Sequence, residues 1–130
     1  MLDSLKDNHE FLQVVLKSKR TRVIFVGGGV PKNWVNDAVV IANYAYGKEI
    51  EGYSYLFQIT TTNPTDGLSG STLEEAQSLG GIWKKASNTT SYVEASIALP
   101  LIVGAVLQKG LFKGRKKIVW TDDSVELKYA

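Results

Sequence analysis

The residues best suited to chemistry are three consecutive glycines, Gly27-Gly28-Gly29, directly after the apolar stretch Val23-Ile24-Phe25-Val26. Without side chains, backbone N–H groups in such a turn can approach a phosphate closely, and a helix starting there adds its positive N-terminal end. The spacing is neither Gly-x-Gly-x-x-Gly nor a Walker loop, because Lys32 lacks the required position and no Ser or Thr follows it. A plain tight turn stays open as the alternative. A second loop, Asp66-Gly67-Leu68-Ser69-Gly70-Ser71-Thr72, leads into Leu73-Glu74-Glu75. It puts a hydroxyl three residues before a carboxylate, the capping-box arrangement that satisfies first-turn N–H groups. Glu75 and Glu94 are candidates to face the same cleft as these loops, although carboxylates near helix starts also serve the helix dipole with no further role.

Other chemistry is thinly supplied. His9 is the only histidine and cysteine is absent, so thiolate catalysis, disulfides, Cys-based zinc and iron–sulfur clusters are excluded, and a metal site would rest on carboxylates alone. His9 reads as a surface residue of an N-terminal helix. The run Lys113-Gly114-Arg115-Lys116-Lys117 reads as a solvated strand edge. Asn88-Thr89-Thr90 matches the glycosylation triplet, which carries no meaning without a secretory signal.

The elements that must position these groups follow from periodicity. Leu2, Leu5, Phe11, Leu12, Val15 and Leu16 repeat at helical spacing and predict a helix from about Leu2 to Ser18. Val23–Val26 is a short continuous apolar run, the pattern of a strand buried on both faces. Pro31 suits a first helical turn, and the pattern Val35, Val39, Val40, Ala42, Asn43, Tyr46 carries a helix to Gly47. Tyr53–Thr61, rich in aromatic and β-branched residues, predicts the next strand. A helix is expected from Thr72 to Ala86, a short strand at Ser91–Val93, an apolar helix over Ser96–Lys109 and a last strand at Lys117–Trp120. Strands alternating with helices, and continuous rather than alternating hydrophobicity in the strands, predict an α/β fold with a parallel sheet. Three or four strands make a thin sheet with exposed edges, so self-association or completion by another chain is expected.

At 130 residues, the chain is expected to form a single domain with its own core. Its parts are an N-terminal helix over 1–20, a core over 21–110 and a strand or tail over 111–130. Fifteen basic against thirteen acidic side chains leave a net charge of +2, too little for a nucleic-acid surface. The longest apolar stretch, Ala95–Leu107, is interrupted by Ser96, Pro100 and Gly104 and is too short for a membrane span. Acidic Asp3, Asp7 and Glu10 stand where a targeting peptide would be basic and apolar, so a cytoplasmic protein is expected.

The order of motifs is more specific than any one of them. Val26-Gly27-Gly28-Gly29-Val30-Pro31-Lys32-Asn33, Ile59-Thr60-Thr61, Asp66-Gly67-Leu68-Ser69-Gly70, Leu73-Glu74-Glu75-Ala76, Tyr92-Val93-Glu94-Ala95 and Leu99-Pro100-Leu101 follow one another. In this order the chain, from about Arg22 to Leu107, resembles the C-terminal part of deoxyhypusine synthase. The resemblance implies a Rossmann-like, three-layer α/β fold with a small, mainly parallel sheet. It also implies a homo-oligomeric, NAD-dependent enzyme that moves the aminobutyl group of spermidine onto a lysine of a translation factor. On it, Gly27, Gly28, Gly29, Thr61, Thr62, Ser69, Glu94 and Ala95 stand at cofactor positions, and Asn33 and Glu75 at polyamine positions.

The departures from the family pattern matter as much. The Trp-Gly-Lys whose lysine forms the covalent imine corresponds here to Leu79-Gly80-Gly81, so the nucleophile position, Gly81, has no amine. Lys84 and Lys85, about one turn further along the expected helix, are weak substitutes. The long N-terminal portion of the family, with its further NAD and polyamine contacts, has no counterpart in the chain. Three functions are therefore expected to compete. The first is a relative that keeps the fold, with or without NAD or polyamine binding, and lacks aminobutyl transfer. The second is a subunit of a split deoxyhypusine or homospermidine synthase-type enzyme completed by a complementary chain. The third is a self-assembling protein with a vestigial pocket.

Overall fold

The computed structural model describes residues 3–63, 73–114, 116–120 and 125–129. Helix α1 (Ser4–Lys17) starts at Asp3, whose carboxylate accepts from the N–H groups of Leu5 and Lys6 at 3.2 and 3.1 Å. Such a cap satisfies N–H groups that have no partner within the helix. Its stripe buries Leu12 and Val15, and Phe11 stacks on Trp34 with ring centroids 4.9 Å apart. That stack joins α1 to the next helix.

Strand β1 (Arg22–Val26) runs into Gly27, which adopts φ +96°, a conformation that glycine alone takes without strain. The chain then enters α2 (Gly29–Tyr46), which ends at the left-handed Gly47. Beyond it the Asn43 carboxamide holds the return loop from both sides, donating to the Ile50 carbonyl at 3.0 Å and accepting its N–H at 2.8 Å. Strand β2 (Tyr53–Thr60) follows, then α3 (Leu73–Ser78), β3 (Ile82–Tyr92) and α4 (Ala95–Gln108). The sheet has the order β1-β2-β3 and is parallel throughout, with Phe25 opposite Gln58 and Phe57 opposite Thr89. The core fills one face. Phe25 and Leu56 of the sheet pack with Ala38, Val39 and Ala42 of α2 and with Leu73 and Ala76 of α3. Tyr53 lies in the same cluster and donates its hydroxyl to the Val35 carbonyl at 2.8 Å.

The α/β class and the small parallel sheet agree with expectation, and two segments do not. The helix expected to reach Ala86 stops at Ser78, and the strand expected at Ser91–Val93 begins at Ile82. The stop is a Schellman turn: Gly80 takes φ +89°, its N–H reaches the Gln77 carbonyl at 3.3 Å, and that of Gly81 reaches Ala76 at 3.2 Å. The expected cap Thr72 lies outside the described residues. At the C-terminal end β4 (Lys116–Trp120) pairs antiparallel with a further strand, β5 (Val125–Tyr129), in a separate ribbon that packs by α1. It does not extend the parallel sheet.

Candidate functional site

In a parallel sheet the carboxyl ends of all strands share one rim, and ligand-binding loops gather there. Main-chain hydrogen bonds join the three loops of this rim. The Gly27 N–H donates to the Ile59 carbonyl at 2.8 Å, and that of Val93 to the Thr60 carbonyl at 3.1 Å. This brings together most of the expected cofactor positions: Gly27, Gly28 and Gly29 after β1, Thr61 and Thr62 after β2, and Glu94 and Ala95 after β3. Ser69 lies outside the described residues.

Two observations make the rim suitable for an anionic group. The N-cap residue of α2 is Gly28, which has no side chain to cap the helix, so among the described residues first-turn N–H groups of this 18-residue helix open onto the turn. Among the described residues, a Cβ built on Gly27 would meet nothing within 4 Å. These features fit a dinucleotide phosphate. Glu94 has a local task, as its carboxylate caps α4 by accepting from the Ser96 N–H at 2.8 Å and from the Ser96 hydroxyl. Those bonds, the hydroxyl first, hold its carboxyl below the usual range.

Of the two expected polyamine positions, Asn33 lines a cleft lower on the molecule and Glu75 does not. Gly81 precedes β3 and lies against Asn36, about 10 Å down the α2 axis from Gly29 at 1.5 Å per residue. A cleft of about 200 Å³ opens there between α2 and the α3 turn, lined by Asn33, Asn36, Asp37, Ala76, Leu79 and Gly81. A Cβ added to Gly81 would lie 3.1 Å from both the Cβ and the carbonyl oxygen of Asn36. Any side chain at position 81 would thus be crowded. The structure overturns the idea of Lys84 or Lys85 reaching back from a helix. Both are exposed on strand β3, where three residues span about 10 Å instead of one compact turn. They line a separate cleft with Glu51, Gln77 and Ser78.

Two residues escaped the sequence reading. Lys32 is buried at 1% exposure, and burial lowers its pKa from the ordinary 10.5, opposed by the negative charge of Glu75. Glu75, expected to meet a polyamine, therefore faces a cation of the chain itself. Asn36 is 6% exposed, and neither its Nδ2 nor its Oδ1 has a hydrogen-bond partner. A usable signal existed: Lys32, Asn36 and Val39 share one stripe at spacings of four and three, so two polar side chains had to turn toward the core. Among the described residues no group of three or more His, Asp or Glu is placed to hold a metal, and no helix is long and apolar enough to cross a membrane.

Comparison with known proteins agrees with this geometry. The deoxyhypusine synthase family model matches residues 1–106, so α1, ahead of the motif-bearing stretch, is also part of the match. The chain is 44% identical over 109 residues to the probable deoxyhypusine synthase 2 of Methanosarcina acetivorans, covering 83% of this chain and 31% of that protein. It is 40% identical to the probable deoxyhypusine synthase 2 of Archaeoglobus fulgidus, covering 82% and 36%. A deoxyhypusine synthase-like protein of Chlorobaculum parvum is 37% identical, covering 88% and 33%. The chain spans about a third of the length of these relatives. With more than three quarters of its residues inside the family match, the chain belongs to the deoxyhypusine synthase family.

Proposed function

We propose that this chain is a deoxyhypusine synthase-like unit that keeps the NAD-facing rim and does not by itself transfer the aminobutyl group of spermidine. The observation that carries this reading is Gly81. It stands at the expected lysine position, and Asn36 occupies the space into which a side chain would grow. Covalent imine chemistry needs an amine of lowered pKa within reach of the substrate. Lys32 has the lowered pKa but is enclosed, and Lys84 and Lys85 are exposed on a strand that leads away from the cleft.

NAD, when bound, would supply the hydride acceptor for oxidation of the amine. The residues that would hold it are Gly27, Gly28 and Gly29 through backbone N–H groups, with Thr61, Thr62 and Ala95 along the same rim. Asn33 and Asp37 at the mouth of the lower cleft would orient a cationic amine. The purified chain, incubated with NAD and spermidine, is expected to release no 1,3-diaminopropane and to form no NADH. NAD-dependent spermidine cleavage by the pure chain would overturn the proposal.

A second reading is favoured by one specific observation: among the described residues, β1 has no neighbour on its outer edge. In this reading the chain is a subunit of a split enzyme, and a complementary deoxyhypusine synthase-like chain supplies the lysine and the remaining NAD contacts. Its test is co-purification with a lysine-bearing, full-length chain of the family; transfer above that of the family chain alone would support it, and a chain that associates only with itself would overturn it.

A further inference from the structure

The amino ends of the strands form a second rim, opposite the one that carries the glycine turn. Three chain segments meet there. Lys19 and Arg20 lead from α1 into β1, residues 49–52 lead from α2 into β2, and Trp83 stands at the start of β3. The Ser54 N–H and hydroxyl both donate to the Thr21 carbonyl at 3.1 Å, which ties the first two segments together. Gly52 presses the second against the third, since a Cβ there would lie 2.8–2.9 Å from backbone atoms of Gly81, Ile82 and Trp83. Between them opens a cavity of about 350 Å³, at the lower end of the range of small-molecule sites. Buried Val15 and half-buried Ile50 and Trp83 give it an apolar lining. Two cations, Lys19 and Arg20, and two carboxylates, Glu49 and Glu51, line it as well, and among the described residues no ion pair joins them.

From this arrangement we infer that the cavity binds a small zwitterion, an amino acid or dipeptide with an apolar side chain. A simple anion drawn to Lys19 and Arg20 would meet two carboxylates, and a simple cation drawn to Glu49 and Glu51 would meet two cations. One molecule that carries both charges satisfies both pairs, while either charge alone is penalised. The spacing agrees. The two charged segments lead into adjacent parallel strands, roughly 4.8 Å apart, a separation that the two ends of an amino acid or dipeptide can span. The Arg20 guanidinium offers paired N–H donors suited to a carboxylate, and Ile50 and Trp83 supply the surface for an apolar side chain. Charged walls also argue against a protein seam here, since interface cores are depleted of charged residues. Because the four charges face water, binding is weak and falls with salt. The cavity is separate from the glycine-turn rim and from the cleft at Gly81, so its ligand is independent of NAD and polyamine binding.

Titration of the purified chain at low salt, followed by NMR, tests this with four probes: L-leucine and leucyl-leucine as zwitterions, L-leucinamide as the cation alone and isocaproate as the anion alone. The chain has three tryptophans, and Trp83→Phe identifies the Trp83 indole N–H signal among them. That signal is expected to shift with a Kd of about 1 mM for at least one zwitterion, the tighter of the two showing which length fits. Both singly charged probes are expected to bind about fivefold more weakly. Glu49→Lys combined with Glu51→Lys should make isocaproate the preferred probe, and the mirror change, Lys19→Glu with Arg20→Glu, should favour leucinamide. All four positions are exposed, so circular dichroism is expected to stay unchanged, which separates altered recognition from lost folding. Three results would overturn the inference: no shift of the Trp83 signal at about 20 mM of either zwitterion, a singly charged probe binding the parent chain as tightly as the zwitterions, or a folded charge-reversed chain with the parent's preference.

Discussion

Placing a lysine at position 81, where the family resemblance leads one to expect it, is the direct way to ask whether the cleft can support imine chemistry, and the structure says what that change must first overcome. The first atom added, Cβ, would sit 3.1 Å from the Cβ and the carbonyl oxygen of Asn36. Carbon atoms pack best at roughly 3.5–4.0 Å, so α2 and the α3 turn must separate by several tenths of an ångström. The Gly81 backbone lies outside the left-handed region, so the penalty is one of space alone. Overpacking of this kind costs about 1–3 kcal/mol. Gly81→Ala isolates the first atom and Gly81→Lys adds the amine. Urea unfolding should show both losing stability by that amount with an unchanged slope. Gly80→Ala is the control: its φ of +89° makes the loss conformational, and nothing within 4 Å obstructs its Cβ. Asn36→Gly removes one of the two crowded contacts, so the cycle with Gly81→Ala should reveal a coupling of at least about 0.5 kcal/mol. Chemically, Gly81→Lys alone should give no borohydride-trapped imine with NAD and spermidine. A Gly81→Ala chain as stable as the parent, or no coupling to Asn36, would refute the crowding argument.

Gly52→Ala should be more damaging, since φ +87° disfavours any side chain and the new Cβ would lie 2.8–2.9 Å from backbone atoms of Gly81, Ile82 and Trp83; soluble expression near the parent level would contradict this. Lys32→Met removes a buried amine whose burial lowers its pKa. Because the folded pKa of Lys32 is depressed, the unfolded state binds more protons between that lowered value and 10.5. The parent should therefore gain stability as pH rises through this window, and Lys32→Met should lack the gain. Burial raises the Tyr53 phenol well above its ordinary value of 10, so its contribution is complete below pH 10 and lost above it. Tyr53→Phe should remove that alkaline loss and, with the bond to the Val35 carbonyl gone, weaken the fold by about 1 kcal/mol. Glu94 is held below the usual carboxyl range, so its cap persists above pH 4.5 and fails as pH falls below it. Glu94→Gln should flatten acid unfolding followed by circular dichroism.

What could be read in the residues alone was what depends on near neighbours in the chain. Continuous hydrophobicity at Val23–Val26 followed by three glycines is enough for a strand, a turn and a helix start, because each is set by local backbone freedom and period. The family resemblance was legible for the same reason, as an ordered series of short motifs. The segment after Thr72 misled because its capping box and its Leu73, Ala76 spacing promise a helix, while Gly80 ends it within two turns by a left-handed twist that period does not reveal. Everything from Ile82 then changes character, and with it the reach of Lys84 and Lys85. Which face each helix covers, that Gly81 abuts Asn36, that Lys32 is sealed beside Glu75, and that charges of both signs line one cavity at the amino ends of the strands were decided only by tertiary packing. Each depends on how elements far apart in sequence meet in space, where volume and desolvation are shared between partners that local patterns cannot name.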